Sequence, residues 1–299
     1  PSEPPMSCRP LHALVAIALA SCSADVDSGP AQSRAAVFAY STPMQAGQTL
    51  ALRNFSGSLT LGPSADDTLR IVADLTWRGD STLPRDVSFR GDTMPGGVVV
   101  CALVGGSRCS QDDYEVKSNG SGFSIGRGRL RLGMGGGAQA NAHFRVQVPA
   151  GVRLDLVMID GSIVSASSAP VKARGVNGNI TVGTSVGPVN AKIVNGDVDI
   201  RMTSLTGTDS VVAETVNGEV AAYLAEGLAM TVDVRVTNGN ALSDFPGLSG
   251  GSERLSKTIS GVLGGGGTPV RVRSINGDAQ LRRLDASGRP YQLGGSATP

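Results

Sequence analysis

Apolar and polar residues alternate over short stretches along most of the chain, and glycine, proline, aspartate or serine separates one stretch from the next. This alternation places successive side chains on opposite faces of a strand. Runs such as Leu50–Leu52, Thr68–Trp77 and Val98–Val104 are therefore predicted to be strands joined by turns. We expect residues 46–145 to form an irregular β-rich region.

The second half of the chain contains an internal repeat of about nineteen residues. Its marker is the dipeptide Asn-Gly, and the degenerate pairs Asp160-Gly161 and Ser260-Gly261 complete the series. The steps between successive pairs are 17, 18, 22, 21, 22 and 16 residues. The five full pairs are Asn177-Gly178, Asn195-Gly196, Asn217-Gly218, Asn238-Gly239 and Asn276-Gly277.

Alignment of the repeats on the asparagine shows a period of two on both sides of the pair. Valine stands six residues before the asparagine in all five repeats, and alanine or valine stands four before it. An aliphatic residue returns three positions after it, whereas charged or amide residues stand three before and two after. Each repeat is therefore predicted to contribute two short strands bent at Asn-Gly.

Two architectures fit this pattern. Asn-Gly between alternating strands is typical of a type I′ hairpin, which would give an antiparallel meander. A stacked solenoid would instead place Asn-Gly at a corner of each coil, with glycine at positive φ and the asparagines piled in a ladder. The same residue class recurs at the same offset in every repeat, which favours the solenoid. We predict an all-β fold with a β-solenoid over residues 146–283 and a disordered tail over 284–299.

The amino-acid composition restricts the classes of function that the chain can have. The chain of 299 residues has 41 glycines, 16 prolines and 4% aromatic residues, which disfavours a helical protein. Its net charge of +1 gives no field that would favour nucleic acid as a partner. Two histidines are too few for most metal or nucleophile-base sites, and Gly133–Ala138 matches a dinucleotide fingerprint without a helix after it. We predict no metal, no cofactor and no catalytic activity.

The N-terminus has the layout of a bacterial export signal. One basic residue precedes an apolar run from Leu11 to Ala20 that is too short to cross a bilayer as a helix. The following Leu19-Ala20-Ser21-Cys22 resembles the lipobox of lipoproteins. This resemblance implies that residues 1–21 are removed and that Cys22 is acylated and anchors the protein to a membrane, for which Ser23 after the cysteine favours the outer one. An ordinary signal peptide with an incidental cysteine is the alternative. Residues 22–45 are rich in small and polar residues with little apolar periodicity, so we expect a flexible tether there.

Two further features of the sequence indicate a disulfide and a charged outer surface. Cys101 and Cys109 enclose a short segment with two glycines, which favours a local disulfide over two separate thiols in an oxidising compartment. Stacking in chain order would also align Glu214 with a mostly basic ladder, opposite an acidic edge of Asp197, Glu219 and Asp278. The basic members of this ladder are Arg174, Lys192, Arg235, Lys257 and Arg273. Opposite charges could simply pair there, or the ladder could bind an anionic partner.

Several segments of the second half resemble the DUF4097 family. They are Phe144–Val148 followed by Pro149–Val152, the recurring Val-Asn-Gly-Asp-Val, Ser243–Pro246, and Gly264–Gly267 before Val270–Gly277. The resemblance covers residues 140–283 well and 46–140 weakly. It implies an adhesin-like protein of the bacterial envelope with a β-solenoid fold, and it brings no catalytic residues.

The expected function is that of a lipid-anchored cell-envelope protein acting as a non-catalytic binding or structural module. Its expected partners are the membrane, through Cys22, and an anionic envelope polymer or another envelope protein. The first alternative is a β-helix enzyme acting on polysaccharide. The second is an accessory protein of envelope stress or signalling.

Overall fold

The computed structural model of the chain describes residues 31–79, 84–118, 121–126, 129–132, 140–166, 169–183, 187–205, 209–253, 256–285 and 287–289. All regular secondary structure in these ranges is β-strand. The first ten strands are β1 (Ala31–Pro43), β2 (Thr49–Pro63), β3 (Thr68–Arg78), β4 (Val87–Met94), β5 (Gly97–Val104), β6 (Arg108–Cys109), β7 (Asp113–Ser118), β8 (Ser121–Gly126), β9 (Arg129–Leu132) and β10 (Ala140–Val148).

The remaining strands carry the repeat. They are β11 (Arg153–Ala166), β12 (Val171–Asn177), β13 (Ile180–Gly183), β14 (Val189–Asn195), β15 (Val198–Met202), β16 (Val211–Asn217), β17 (Val220–Ala225), β18 (Met230–Asn238), β19 (Ala241–Ser243), β20 (Ser249–Glu253), β21 (Ser256–Leu263), β22 (Thr268–Asn276) and β23 (Ala279–Leu284). Nineteen strands form one continuous sheet, and β6–β9 form a separate four-stranded antiparallel sheet.

Each repeat is one rung of a parallel stack, with one strand before the Asn-Gly corner and one after it. The strands before the corner, which include β12, β14 and β16, make the portion that we call the front sheet. The strands after the corner, which include β13, β15 and β17, make the back sheet. The asparagines lie opposite one another from rung to rung, so the antiparallel meander is excluded. The predicted all-β solenoid is confirmed.

The order of the rungs differs from the order of the chain. β22 lies between β16 and β18, and β23 lies between β17 and β19. The last repeat of the chain, at Asn276, is therefore stacked between the repeats at Asn217 and Asn238. The free edge of β18 is occupied by β21, which runs antiparallel to it and pairs on its other side with β20. The inclusion of Ser260-Gly261 in the series of corners is therefore wrong, because this pair lies within β21.

The stack also begins earlier than predicted. β2 bends at Gly57 and pairs in parallel with β11 along both of its halves, with Gly57 opposite Gly161. β10 continues the back sheet on the other side of β2 and runs through residue 146. The predicted division between residues 46–145 and 146–283 is therefore not a structural boundary, because strands from both sides pair in one sheet.

The predicted tether over residues 22–45 is wrong for its second part. Residues 31–43 form β1, the outermost strand of the back sheet, which pairs antiparallel with β3. Phe38 and Tyr40 supply the apolar contacts that make this segment a strand, since both pack against the core. The first residues of the tether, like the signal segment and Cys22, lie outside the described residues.

The predicted tail starts too early. Leu284 is buried at the end of β23, and the amide of Asp285 donates to the carbonyl of Arg289, which closes a turn. Residues 290–299 lie outside the described part of the chain.

The core fills the space between the front and back sheets. Valine columns six residues before the corner and alanine or valine columns four before it are buried, and aliphatic residues from the back sheet face them. The buried residues of successive rungs join one cluster that runs from Met44 to Leu281. Side chains thus fill the interior of the solenoid, and its outer surfaces are what it offers to partners.

Candidate binding surface

Stacked glycines form the corners on which the outer surfaces depend. The second residue of each Asn-Gly pair has positive φ, with values from 121° at Gly178 to 151° at Gly239. A Cβ added at Gly196 would overlap the carbonyl oxygen of Gly178 on the neighbouring rung, and the same overlap recurs at Gly178, Gly218, Gly239 and Gly277. Glycine is therefore required both for the backbone angle and for the close approach of the rungs.

The asparagines form a hydrogen-bonded ladder along the corner. The Nδ2 group of Asn195 donates to Oδ1 of Asn177 (2.8 Å), and Asn217 donates in the same way to Asn195 (2.7 Å). The ladder continues from Asn276 to Asn217 (2.7 Å) and from Asn238 to Asn276 (2.8 Å). All four amides point toward the rung of β11, where Asp160 lies opposite Asn177 and its carboxylate can accept a hydrogen bond but not donate one.

A second column follows two residues after the asparagines. The backbone N–H of Asp197 donates to Oδ1 of Asn179 (3.1 Å), and that of Glu219 donates to Oδ1 of Asp197 (2.8 Å). Asp278 accepts in the same way from the amide of Asn240 (2.8 Å). Two members of the predicted acidic edge, Asp197 and Asp278, therefore use their carboxylates to satisfy backbone groups of the corner, whereas the carboxylate of Glu219 accepts from the side chain of Gln280.

The predicted basic ladder of the front sheet is paired with acids. Asp155 binds Arg53 (3.0 Å) and Arg174 (3.2 Å), and Lys192 binds Glu214 (2.6 Å). Asp233 binds Arg235 (2.7 Å) and Arg273 (2.9 Å), and Arg271 lies 3.8 Å away. Burial opposes ionisation of Asp233, but hydrogen bonds from Arg273 and Arg235 outweigh it, so its pKa lies below the ordinary value. Pairing of opposite charges is thus the arrangement that the structure shows.

Lys257 does not belong to this ladder, contrary to the prediction. β21 runs antiparallel to β18, and Thr258 rather than Lys257 lies opposite Arg235. The ammonium group of Lys257 instead donates to Oδ1 of Asn240 (2.8 Å), at the last rung of the second column. A period of two fits parallel and antiparallel strands equally, which is why the sequence pattern misplaced this residue.

Sequence reasoning missed Asp155, Asp233 and Arg271. They occupy the outward column two residues before the ladder. In the order of the stacked rungs, this column consists of Asp155, Lys172, Asn190, Val212, Arg271 and Asp233. The signal was available, since the period of two that placed the ladder also places this second outward column.

The small sheet is fixed on the front sheet by three contacts. Cys101 and Cys109 form a disulfide with their Cα atoms 6.4 Å apart. The hydroxyl of buried Tyr114 donates to the carbonyl of Ala102 (2.6 Å). Arg53, only 1% exposed, donates to the carbonyls of Asp155 and Gln111 (both 2.5 Å). Burial lowers the pKa of the Arg53 guanidinium, against the attraction of Asp155.

The outer surface of the back sheet carries mixed charges. Arg201 binds Asp199 (3.1 Å) and lies over the ring of Tyr223, 5.2 Å from its centroid. Arg282 binds Asp244 (2.8 Å). These contacts join neighbouring rungs and neighbouring positions of one strand, as expected for a solvated sheet surface.

His143 lies on the same surface with hydroxyls on both ring nitrogens. Ser58 Oγ is 3.0 Å from Nδ1, and Thr76 Oγ1 is 3.2 Å from Nε2. The neighbouring Asp74 binds Arg145 and accepts from the amide of Ala36. The carboxylate therefore does not orient the imidazole, and the arrangement lacks the geometry of a nucleophile-base-acid triad.

The described residues contain no group of three or more His, Cys, Asp or Glu side chains that could hold a metal ion. Within the same ranges, no helix has the length and apolar character needed to cross a bilayer. The segment Gly133–Ala138 lies wholly outside the described residues.

The geometry defines a β-solenoid with stacked Asn-Gly corners and paired charges on its outer columns. Residues 155–282 match the family described as Toastrack DUF4097, which confirms the resemblance stated above. A solved structure of a "putative cell adhesion protein" from Clostridium sporogenes aligns with 82% of this chain and 99% of its own, at 10% identity and a TM-score of 0.40. That likeness carries no argument about function. No curated protein matches the chain.

Proposed function

We propose that this protein is a non-catalytic, adhesin-like binding or structural module of the bacterial cell envelope, anchored by an acylated Cys22. The observation that carries the proposal is the division between a filled interior and regular outer columns. Val189, Ala191 and Val211, for example, are completely buried, so the interior has no room for a ligand there. Recognition then falls to outer side chains that repeat about every 4.8 Å along the stack.

A stack of this kind suits contact with an extended partner. The Asn ladder and the parallel pairing fix the outer side chains of successive rungs in straight columns. A polymer or another elongated envelope protein can touch several rungs at once, and many weak contacts then add to a useful affinity.

The anchor is tested by removing the proposed acylated residue. In bacteria grown with a radiolabelled fatty acid, we expect the full chain to carry the label and to sediment with membranes. Cys22→Ala should abolish both, whereas Cys8→Ala, which changes a cysteine ahead of the proposed cleavage point, should leave both unchanged. Equal labelling of the Cys22→Ala variant would refute the anchor.

The non-catalytic role is tested by two measurements on the whole chain. A screen against envelope polysaccharides should show no release of fragments above a blank, and fragment release would support the enzyme alternative. Crosslinking in intact cells should capture envelope polymers or external ligands. Capture restricted to stress-sensing envelope proteins would instead support the accessory alternative.

A further inference from the structure

The arginines around Asp233 form an unbalanced group of charges. We call Arg235, Arg271, Arg273 and Asp233 the arginine cluster. Three positive charges face one negative charge within ion-pair distance, which leaves a formal net charge of +2. Glu214 lies opposite Arg273 on the next rung, but its carboxylate pairs with Lys192. The group at Asp155 has two arginines for one acid, and Lys192 and Glu214 pair one to one.

The inserted rung creates this cluster. Arg273 of β22 lies opposite Arg235 of β18, and Arg271 lies opposite Asp233. The four side chains therefore start from the corners of a rectangle about 5 Å by 7 Å on two adjacent rungs. If β18 paired directly with β16, Arg235 would instead take the position opposite Glu214 that Arg273 now holds.

The cluster has more hydrogen-bond donors than its acid can satisfy. Three guanidinium groups offer about fifteen N–H donors, and a carboxylate accepts about four hydrogen bonds. Asp233 accepts from Nε of Arg235 (2.7 Å) and from Nη2 of Arg273 (2.9 Å). The Nε group of Arg273 is buried without a hydrogen-bond partner, while Arg235, Arg271 and Arg273 remain 58%, 48% and 38% exposed.

We propose that the arginine cluster is an anion-binding site for the charged groups of an anionic envelope polysaccharide. Guanidinium groups bind sulfate, phosphate and carboxylate oxygens through paired hydrogen bonds, so the unused donors suit such groups. This inference rests on the proposed binding function and locates it on the front sheet, at β18 and β22.

The first experiment measures retention of the full chain on dextran sulfate, with unmodified dextran as the uncharged control. Arg235→Gln/Arg271→Gln/Arg273→Gln should weaken binding by about tenfold or more. The matched control, Lys172→Gln/Arg174→Gln/Lys192→Gln, removes three charges from the same sheet and should weaken it less than about threefold. Equal losses in both variants would mean diffuse attraction and would overturn the site.

The second experiment removes the acid that competes for the arginines. Asp233→Asn should tighten binding of dextran sulfate by about threefold or more, whereas Asp199→Asn on the back sheet should leave it nearly unchanged. Circular dichroism melting would show that each variant is folded. Unchanged or weaker binding by folded Asp233→Asn would overturn the site.

The two proposals fail in different ways. If the protein captures envelope components in crosslinking but ignores dextran sulfate, the arginine cluster is refuted and the binding function stands. If it captures neither polymer nor envelope protein, the binding function itself is refuted.

Discussion

The repeated rungs and the N-terminal end of the solenoid are stabilised by different kinds of contact. From Val171 to Leu284 the same small contacts recur, with valine or alanine inside and glycine and asparagine at the corner. The N-terminal end instead uses contacts that occur once. Phe38 of β1 stacks on Phe89 of β4 at 5.5 Å, and Phe89 meets Phe144 edge to face at 5.9 Å.

The difference follows from what each rung has for neighbours. An inner rung is covered on both sides by strands like itself, so small side chains fill the narrow interior. Within the described residues, the outermost strands β1 and β4 each pair with one neighbouring strand only, and the aromatic contacts between them join the front and back sheets there. β1 also carries an irregularity at Ala36, which has φ of 49° and donates its amide to Asp74. Such bulges protect an edge from pairing with other chains.

The largest expected effect comes from a corner glycine of the repeated region. Gly196→Ala should lower the free energy of unfolding by about 4 kcal/mol, because alanine disfavours φ of 133° and its Cβ would overlap the carbonyl of Gly178. Urea unfolding followed by circular dichroism measures the change.

Gly47→Ala is the matched control. Gly47 has φ of 85°, but an added Cβ there would meet nothing within 4 Å. We expect a loss of about 1–2 kcal/mol from the backbone angle alone. Equal losses at the two glycines would show that stacking of the corners does not require glycine for its close approach.

The second-largest effect is expected from a contact of the N-terminal end that occurs only once in the described residues. Arg53→Met should destabilise the protein by about 3 kcal/mol, because Asp155 loses one of its two cations and the carbonyl of Gln111 loses a buried donor. Thermal melting at neutral pH measures it.

Arg201→Met is the corresponding change on a rung of the repeat. Its pair with Asp199 is 45% exposed at the arginine, so the loss should be below about 1 kcal/mol. If Arg201→Met destabilised the fold as much as Arg53→Met, burial of the ion pair at the N-terminal end would add nothing to its contribution.

The sequence was sufficient to predict the rungs but not their order. The inward columns at Val171, Val189 and Val211 follow from the period of two, and the recurring Asn-Gly favours stacking over hairpins. The repeats at Asn238 and Asn276 carry the same corner residues, so either could pair with Asn217. The hairpin of β20 and β21 occupies the edge of β18 that β22 would take if the rungs followed the order of the chain, and the degenerate pair Ser260-Gly261 within β21 gave no sign that this strand runs antiparallel.

For the outer surface too, the sequence predicted part of the arrangement of side chains but not all of it. Columns of like residues could be aligned, whereas the partner of each charge depends on which rung lies beside it. Asp233 binds arginines from β18 and β22, which are separated in the chain by the hairpin. β1 escaped prediction because Ala31–Ala36 lacks an apolar alternation and gains its place by pairing with β3.

Among the three destabilising changes that are each paired with a control, the smallest effect is expected in the amide ladder. Asn217→Asp should destabilise the protein by about 1–2 kcal/mol, because a carboxylate can still accept from Asn276 but can no longer donate to Asn195. Since a carboxylic acid can donate, the loss should shrink as the pH falls through the pKa of the new group. Unfolding in urea between pH 7 and pH 3 measures both parts.

Asn179→Asp makes the same chemical change two residues beyond a corner. There Oδ1 of Asn179 only needs to accept from the backbone N–H of Asp197, and aspartate already fills that role at Asp197 and Asp278. The free energy of unfolding should therefore change by less than about 0.5 kcal/mol. If both variants behaved alike, the ladder would contribute nothing as a chain of donors, and the corners would be held by glycine and the parallel pairing alone.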